Sequence, residues 1–342
     1  MAAFVDVATL MNNQAPPNSL AGSSKKIRKQ RKEFAMSCSA CHKNEKDLGR
    51  LLRRCAKVCH TAFYCSKECQ TQNWSVHKQV CGERSVSKLV PKLVKTMLSD
   101  PNMLVQLQSC FMLAFDLLQR ARCDEMLLAR VDIAVEPANL DDFSDILLRG
   151  ESPNTAVQGM LQINAFTPVS DVEKSKVAAE RRLVWCQERA RADAAGFRHH
   201  PVVIMDVVHT DSQIDMTIPW RIASGMRAVV PAWISGGFPI PSAIPGQTTT
   251  VPCTVENCMQ CINMHIRADT KNKLLLRTEM RPSDIQVIRD AGKNAKTVPA
   301  MILHAKIARE HIYESIYQKF LKRRKAATGV TPSIPVVDLS PC

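Results

Sequence analysis

The chain has 342 residues, of which 45% are apolar and 23% charged, and these fractions are typical of a globular protein with one or two domains. No apolar run reaches the roughly 20 residues of a membrane helix, and the opening residues lack the pattern of a secretory signal. We therefore predict an intracellular protein without a membrane span, whose net charge of +14 admits anionic partners.

Residues 1–33 are rich in Asn, Pro and Ser and end in a basic run from Lys25 to Lys32, which predicts a disordered basic tail. The basic run is a candidate nuclear-localisation signal, so we expect the protein in the nucleus or the cytoplasm. Nucleic-acid binding through this arm and through a second run, Lys322 to Lys325, is an alternative that we do not favour. Neither run is interleaved with aromatic side chains.

A cluster of cysteines follows the tail, and it predicts a zinc finger over residues 34–84. Seven of the 14 cysteines lie in this short segment, and inside a cell crowded thiols are more often metal ligands than disulfides. Eight thiol and imidazole ligands would fill two tetrahedral zinc sites, and the two ions would supply the folding energy that so short a segment lacks. The candidate ligands are Cys38, Cys41, Cys55, Cys59, Cys65, Cys69, His77 and Cys81.

The run YCSKECQTQNWSVHKQVC, which begins at Tyr64 and follows two cysteine pairs, resembles a MYND zinc finger. The resemblance implies two interleaved sites, one formed by Cys38, Cys41, Cys65 and Cys69 and the other by Cys55, Cys59, His77 and Cys81. One spacing departs from the family, because three residues separate Cys55 from Cys59 where two are usual. A bulge could absorb the extra residue; otherwise the second ion recruits His60 or binds weakly.

The same resemblance implies a function, since MYND fingers bind short proline-containing peptides in a shallow groove. The family's groove positions correspond to Ser66, Gln70 and Trp74. An indole offers a flat apolar platform and one N–H donor, and a preformed extended peptide loses little entropy on docking. Alternatively, Trp74 packs beneath the zinc sites as core, and in so small a domain the two roles are compatible.

Residues 85–325 are predicted to form a larger mixed α+β domain of unknown role, and residues 326–342 a disordered tail. The fold class is therefore α+β, with a small two-zinc finger before the larger domain. Apolar spacing predicts helices from near Ser85 to 100, over 102–121, over 171–191 and over 299–320. Strands are predicted at 127–135 and 202–209, and the segment 231–252, with its prolines and glycines, is predicted as a loop.

The chain carries no P-loop, no H-E-x-x-H and no G-x-S-x-G, and we predict that it is not an enzyme. Some proteins with MYND fingers are SET-domain methyltransferases, but the glycine-rich G-x-G segment and the Asn-His-Ser-Cys run of those enzymes do not occur. An enzyme with an unrecognised site remains the alternative. It would require titratable groups such as His199, Asp206, His209 or Cys258 to gather in a concave pocket. The adjacent His199 and His200 are more simply explained as surface residues.

A second thiol cluster, Cys253, Cys258, Cys261 and His265, has a spacing compatible with a third metal site, although its apolar neighbours favour buried free thiols. The sequence predicts a zinc-binding adaptor whose finger docks a proline-containing segment of a partner protein. It predicts neither the partner nor the oligomeric state.

Overall fold

The structure is a computed structural model that describes residues 38–41, 43, 45–55, 62–78, 89–151, 156–169, 179–209, 214–241 and 248–328. The basic run Lys25–Lys32, the helix start near Ser85 and most of the predicted C-terminal tail lie outside these residues. Within the described ranges, no helix combines the length and the apolar character that a membrane span requires.

The finger is built from four short elements. They are α1 (Glu45–Leu48), β1 (Arg53–Arg54), β2 (Phe63–Tyr64) and α2 (Lys67–His77). The two strands pair antiparallel, with Arg53 opposite Tyr64. The Tyr64 side chain is buried, and its hydroxyl donates a 3.0 Å hydrogen bond to Asn73 Oδ1, which ties β2 to α2.

The larger domain alternates helices with strands. Its first half contains α3 (Leu89–Leu98), α4 (Pro101–Ala114), β3 (Leu127–Pro137), α5 (Leu140–Arg149), β4 (Gln158–Pro168), α6 (Ala179–Ala194), β5 (Val202–His209) and β6 (Ile214–Arg221). Its second half contains α7 (Met226–Gly236), β7 (Phe238–Pro241), β8 (Thr248–Val251), α8 (Val255–Ala268), β9 (Arg277–Glu279), α9 (Pro282–Gly292), α10 (Val298–Arg309), a 3₁₀ turn (His311–Tyr313) and α11 (Glu314–Thr328). The predicted α+β class is confirmed.

A mixed five-stranded sheet forms the centre of the domain, in the order β6-β5-β3-β4-β9. The middle strand, β3, pairs parallel with β5 and antiparallel with β4. Leu128 and Ile204, which are partners in the β3–β5 register, pack with Trp185 of α6. The alternate residues of β3 join the main core, where α8 packs on β4 and on α4. The sheet is therefore covered by helices on both faces, which explains why β5 consists of buried residues throughout.

The helix predicted over 102–121 ends earlier, at Ala114, so its predicted end is wrong. The start of the helix follows from the sequence, because Asp100 stands directly before Pro101, the first helical residue. The Asp100 carboxylate accepts hydrogen bonds from the N–H groups of Asn102 and Met103 and so caps the helix. Its end is a Schellman motif, in which Leu117 N–H bonds Met112 O at 2.9 Å and Asp116 adopts a left-handed φ of 52°. Glycine usually occupies that position, and aspartate gives no comparable stop signal in the sequence.

The predicted loop over 231–252 is also wrong, since the segment contains the end of α7 and the β7–β8 hairpin. Pro231 lies inside α7 and is exposed, and the prolines of β7 are tolerated because the hairpin has only two strands. Gly237 has a φ of 69°, and a Cβ there would lie 2.6 Å from the Thr250 side chain. This glycine allows the close turn from α7 into the hairpin.

The single helix predicted over 299–320 is interrupted at Glu310, whose ψ of 124° separates α10 from the 3₁₀ turn and α11. The buried Glu310 carboxylate accepts a 2.9 Å hydrogen bond from Asn263 on α8. The amide oxygen of Asn263 accepts from Ile163 N–H at 2.7 Å, next to the point where the β3–β4 register shifts. A contact across the domain therefore holds the break in place.

Candidate metal centre

Four cysteines of the finger converge, and they are the four that the resemblance assigns to the first site. The Sγ atoms of Cys38, Cys41, Cys65 and Cys69 all lie within 4.8 Å of one another. Cys65 Sγ is 3.5 Å from Cys41 Sγ and 3.3 Å from Cys69 Sγ. A zinc ion with Zn–S bonds of about 2.3 Å separates its sulfur ligands by about 3.8 Å, so a small outward movement would accommodate the ion.

The protonation of these thiols also fits a cation. Burial raises the pKa of Cys38, but hydrogen bonds that include the backbone N–H of Cys41 outweigh it and lower this pKa to about 7. Burial raises the pKa of Cys41, Cys65 and Cys69. One thiolate therefore forms readily near neutral pH, and the other three thiols need a nearby positive charge to lose their protons. A bound zinc ion supplies that charge.

Two residues that the sequence did not single out position the four cysteines, Ser39 at the first pair and Arg50 at Cys65. Ser39 N–H bonds Phe63 O at 2.7 Å, and Phe63 N–H returns a 3.1 Å bond to Ser39 Oγ. On the other side, Arg50 donates to Cys65 O at 2.9 Å. Ser39 lies between two ligands, and this position was the only signal in the sequence for its role.

The second set of ligands is described only in part, since Cys59, Cys81 and the alternative ligand His60 lie outside the described residues. Cys55 and His77 are both 5% exposed. Among the described residues, His77 Nε2 has no hydrogen-bond partner although it is buried. Burial lowers the pKa of His77, which favours the neutral imidazole that binds metals. An orphaned ring nitrogen in this state fits the ligand role that the sequence predicts.

The three predicted groove residues lie at intervals of four along α2, so they share one face of the helix. Ser66 immediately precedes the first residue of the helix, and its Oγ accepts a 3.3 Å hydrogen bond from Cys69 N–H. Gln70 Nε2 lies 4.0 Å from Cys55 Sγ. Trp74 is half-buried, and its ring meets the His77 ring edge to face at 5.9 Å. Trp74 thus packs on the metal centre while keeping part of its surface exposed.

The thiols of the larger domain do not form a comparable site. Within the described ranges, Cys38, Cys41, Cys65 and Cys69 form the only group of three or more metal-ligating atoms that are mutually close. Cys253 and Cys258 are buried, and hydrogen bonding between the two thiols together with burial raises the pKa of Cys253. Burial raises the pKa of Cys261 to about 12. Protonated, buried thiols agree with the interpretation of this cluster as core.

Of the four titratable groups proposed for an unrecognised enzyme site, His199 is exposed and the other three have separate contacts. Asp206 binds Arg181 at 2.8 Å and Thr217 at 2.6 Å. His209 Nε2 lies 3.0 Å from Asp284 Oδ1. Cys258 is buried in α8, near Cys110, whose thiol raises its pKa. None of these groups lines the small cavity between β3, α9 and α10.

A small cavity lies elsewhere, between β3, α9 and α10, and it has room for about one water molecule at about 20 Å³. Its polar lining consists of Asp132, Glu136, Asn164 and Asp284, and the remaining walls are mostly aliphatic. Arg130 holds both carboxylate oxygens of Asp132, and Lys306 holds Glu136 Oε1 at 2.6 Å. The two acids of β3 that line this cavity are therefore already paired.

The paired strands β1 and β2, the helix α2 and the four-thiol site together define a MYND-type zinc-finger protein. A family model described as the MYND finger matches residues 32–81. A SET and MYND domain-containing protein of Dictyostelium discoideum is 47% identical over 51 residues, which are 14% of this chain and 9% of that protein. This match is confined to the finger. The chain therefore spans only a small part of the length of that relative. The predicted MYND finger is confirmed, and its cluster of four cysteines supports zinc binding.

A second family model, described as a domain of unknown function (DUF8205), matches residues 85–313, which is more than half of the chain. The protein therefore belongs to the DUF8205 family, with a MYND finger preceding the family's domain. No solved structure matches the chain.

Proposed function

We propose that the protein is a zinc-dependent adaptor whose finger docks a proline-containing segment of a partner protein on the face of α2 formed by Ser66, Gln70 and Trp74. The observation that carries the proposal is the position of Trp74, which is half-buried against His77 yet keeps exposed surface on the same face as the other two residues. A rigid indole supplies a large contact area at low entropic cost, which suits the ring of a proline.

Replacing Trp74 by alanine is expected to weaken binding of a proline-containing peptide by about 10- to 30-fold, the effect of losing one interface anchor. Fluorescence anisotropy would measure this with labelled 12-residue peptides that contain two prolines and with their proline-to-alanine counterparts. Gln72→Ala is the matched control, because Gln72 is exposed on the same helix two residues from Gln70 and so points away from the groove face.

Zinc content has to be measured in the same preparations, since Trp74 also contacts His77. Trp74→Phe keeps an aromatic ring against the histidine while removing the N–H donor and part of the platform. Reduced peptide binding with unchanged zinc in both variants supports the groove. Zinc lost together with binding, in the phenylalanine variant as well, would show that Trp74 acts only as core.

We propose in addition that the finger holds two zinc ions, the second bound by Cys55, Cys59, His77 and Cys81. The buried, unpartnered Nε2 of His77 and the buried Cys55 support this assignment. Replacing His77 by alanine is expected to lower zinc from two ions per chain towards one, as measured by elemental mass spectrometry of the purified protein. A wild-type content of one ion, unchanged in the variant, would leave the four-thiol site as the single zinc site.

For the larger domain we propose a binding or scaffolding role, not catalysis. The support is that the candidate groups Asp206, His209 and Cys258 each have partners elsewhere and that the described cavity holds about one water. An inhibitor or substrate analogue that binds stoichiometrically beside any of these groups would contradict the proposal.

A further inference from the structure

The last helix, α11, has one buried side and one strongly basic side. Ile316, Tyr317 and Phe320 are buried in the core of the domain. The opposite side carries four exposed cations, Lys319, Lys322, Arg323 and Lys325, and we call this set the basic face. The basic face extends the basic run Lys322–Lys325 by one helical turn towards the N-terminus of α11, to Lys319.

The cations of the basic face are close neighbours along the helix. Lys319 lies three residues before Lys322 and four before Arg323, and at these spacings like charges on a helix repel and destabilise it. The one acidic residue of α11 is Glu314, in the first turn, where it lies 3.5 Å from His311. Within the described part of the chain, none of the four cations takes part in an ion pair.

Two other surface helices of the same domain, α5 and α6, pair cations with acids of the same helix. In α6, Arg189 lies 2.7 Å from Asp193 and Arg191 lies 2.8 Å from Glu188. In α5, Arg149 lies 3.5 Å from Asp145. The helix dipole favours a cation in the last turn, such as Lys325. This effect fades within one turn, so it does not explain the position of Lys319. Neither an ion pair among the described residues nor the helix dipole therefore offsets the repulsion between the cations of the basic face.

We propose that the basic face binds the phosphate backbone of double-stranded nucleic acid without reading its sequence. A duplex carries one charge per about 1.7 Å of its axis, so the about 9 Å of helix from Lys319 to Lys325 faces several phosphates at once. A sequence pI near 9.3 and a net charge of +14 add long-range attraction for a polyanion.

Other anionic partners fit the basic face less well. Stacking on single-stranded bases needs exposed aromatic rings, but the aromatic side chains of α11, Tyr317 and Phe320, are buried. Insertion into a membrane surface needs a free apolar face, and the apolar face of α11 is already packed in the domain. An acidic peptide offers a lower and less regular charge density than a duplex.

The test uses the full chain and a fluorescein-labelled 20-base-pair duplex of mixed sequence, titrated by anisotropy between 50 and 200 mM NaCl. The variant is the triple substitution Lys319→Gln, Lys322→Gln and Arg323→Gln. Each lost phosphate contact removes about 0.9 from the slope of log affinity against log salt, so the slope is expected to fall by about 2.7. The affinity at about 0.1 M salt should fall on the order of 10²-fold for the same reason.

The matched control replaces three exposed lysines elsewhere in the domain, Lys271, Lys293 and Lys296, by glutamine, which changes the net charge equally. This triple is expected to change the slope by less than about 1. Trp74→Ala should bind the duplex as the wild type does, which separates the basic face from the peptide groove. The thermal midpoint of the basic-face triple should equal or exceed that of the wild type, because neutralisation removes the repulsion along α11.

Three results would overturn the proposal. Equal losses in the two triples would mean that net charge, and not this face, attracts the duplex. A lowered thermal midpoint in the basic-face triple would make these residues structural. Tighter binding of a glutamate-rich peptide, or of vesicles containing phosphatidylserine, than of the duplex at equal salt would assign the face to that partner.

Discussion

Replacing Cys65 by serine is expected to remove at least one zinc ion per chain and to unfold the finger while the larger domain keeps its fold. Cys65 Sγ lies 3.5 Å from Cys41 Sγ and 3.3 Å from Cys69 Sγ, so its loss removes one of the four ligands of the site. Zinc binding to finger peptides is worth about 10–16 kcal/mol, more than the whole stability of so small a domain.

Two measurements on the purified full chain would check this expectation. Elemental mass spectrometry gives the zinc content, and limited proteolysis gives the folding of the finger, because an unfolded segment is cleaved far faster than a folded one. Cys186→Ser is the matched control, since Cys186 is an exposed cysteine on α6 of the larger domain. Wild-type zinc content in the Cys65→Ser protein would show that the four thiols do not form the site.

Replacing Lys306 by methionine is expected to lower the free energy of unfolding of the larger domain by about 3–5 kcal/mol. The Lys306 side chain is fully buried, and its Nζ donates to Glu136 Oε1 at 2.6 Å and to Asn164 Oδ1 at 3.1 Å. Tyr313 also donates its hydroxyl proton to Glu136. Methionine fills similar space but removes the cation that pairs with the buried Glu136 carboxylate. Among the described residues, the cation that then remains near Glu136 is Arg267, at 3.9 Å.

Urea unfolding followed by far-ultraviolet circular dichroism would measure the loss as a lower transition midpoint. The exposed Lys293→Met serves as the control and should change the free energy of unfolding by less than about 0.5 kcal/mol. The double variant Lys306→Met, Glu136→Leu should lose less than Lys306→Met alone, because it removes the unpaired charge as well. A single variant within about 1 kcal/mol of the wild type would mean that Glu136 becomes protonated or hydrated without cost.

Much of the finger followed from its sequence, because crowded thiols indicate metal ligands and the run from Tyr64 resembles a known family of zinc fingers. Cys38, Cys41, Cys65 and Cys69 were assigned to one site from the resemblance, and the structure brings their sulfur atoms together. Strand β5 agrees with its prediction at both ends, since its sequence is rich in β-branched residues and mostly apolar, as a buried strand requires.

The elements that the sequence misplaced have ends that depend on an unusual backbone conformation, on a distant contact or on their place in a sheet. The end of α4 uses Asp116 in a conformation that glycine usually adopts. The break at Glu310 depends on Asn263, which lies 47 residues earlier in the chain. The β7–β8 hairpin forms where prolines and glycines predicted a loop, since a two-stranded edge tolerates them.

The sequence by itself determined that the protein carries a MYND zinc finger followed by an α+β domain, because ligand spacing and apolar periodicity are local properties of the chain. Only the tertiary structure decided which polar residues share the core and which cations remain unpaired at the surface. Lys306 and Glu136 are 170 residues apart and meet in the interior, whereas the four cations of the basic face are neighbours on one helix and form no ion pair among the described residues. Pairing of charges depends on which segments pack together, and that is a property of the fold.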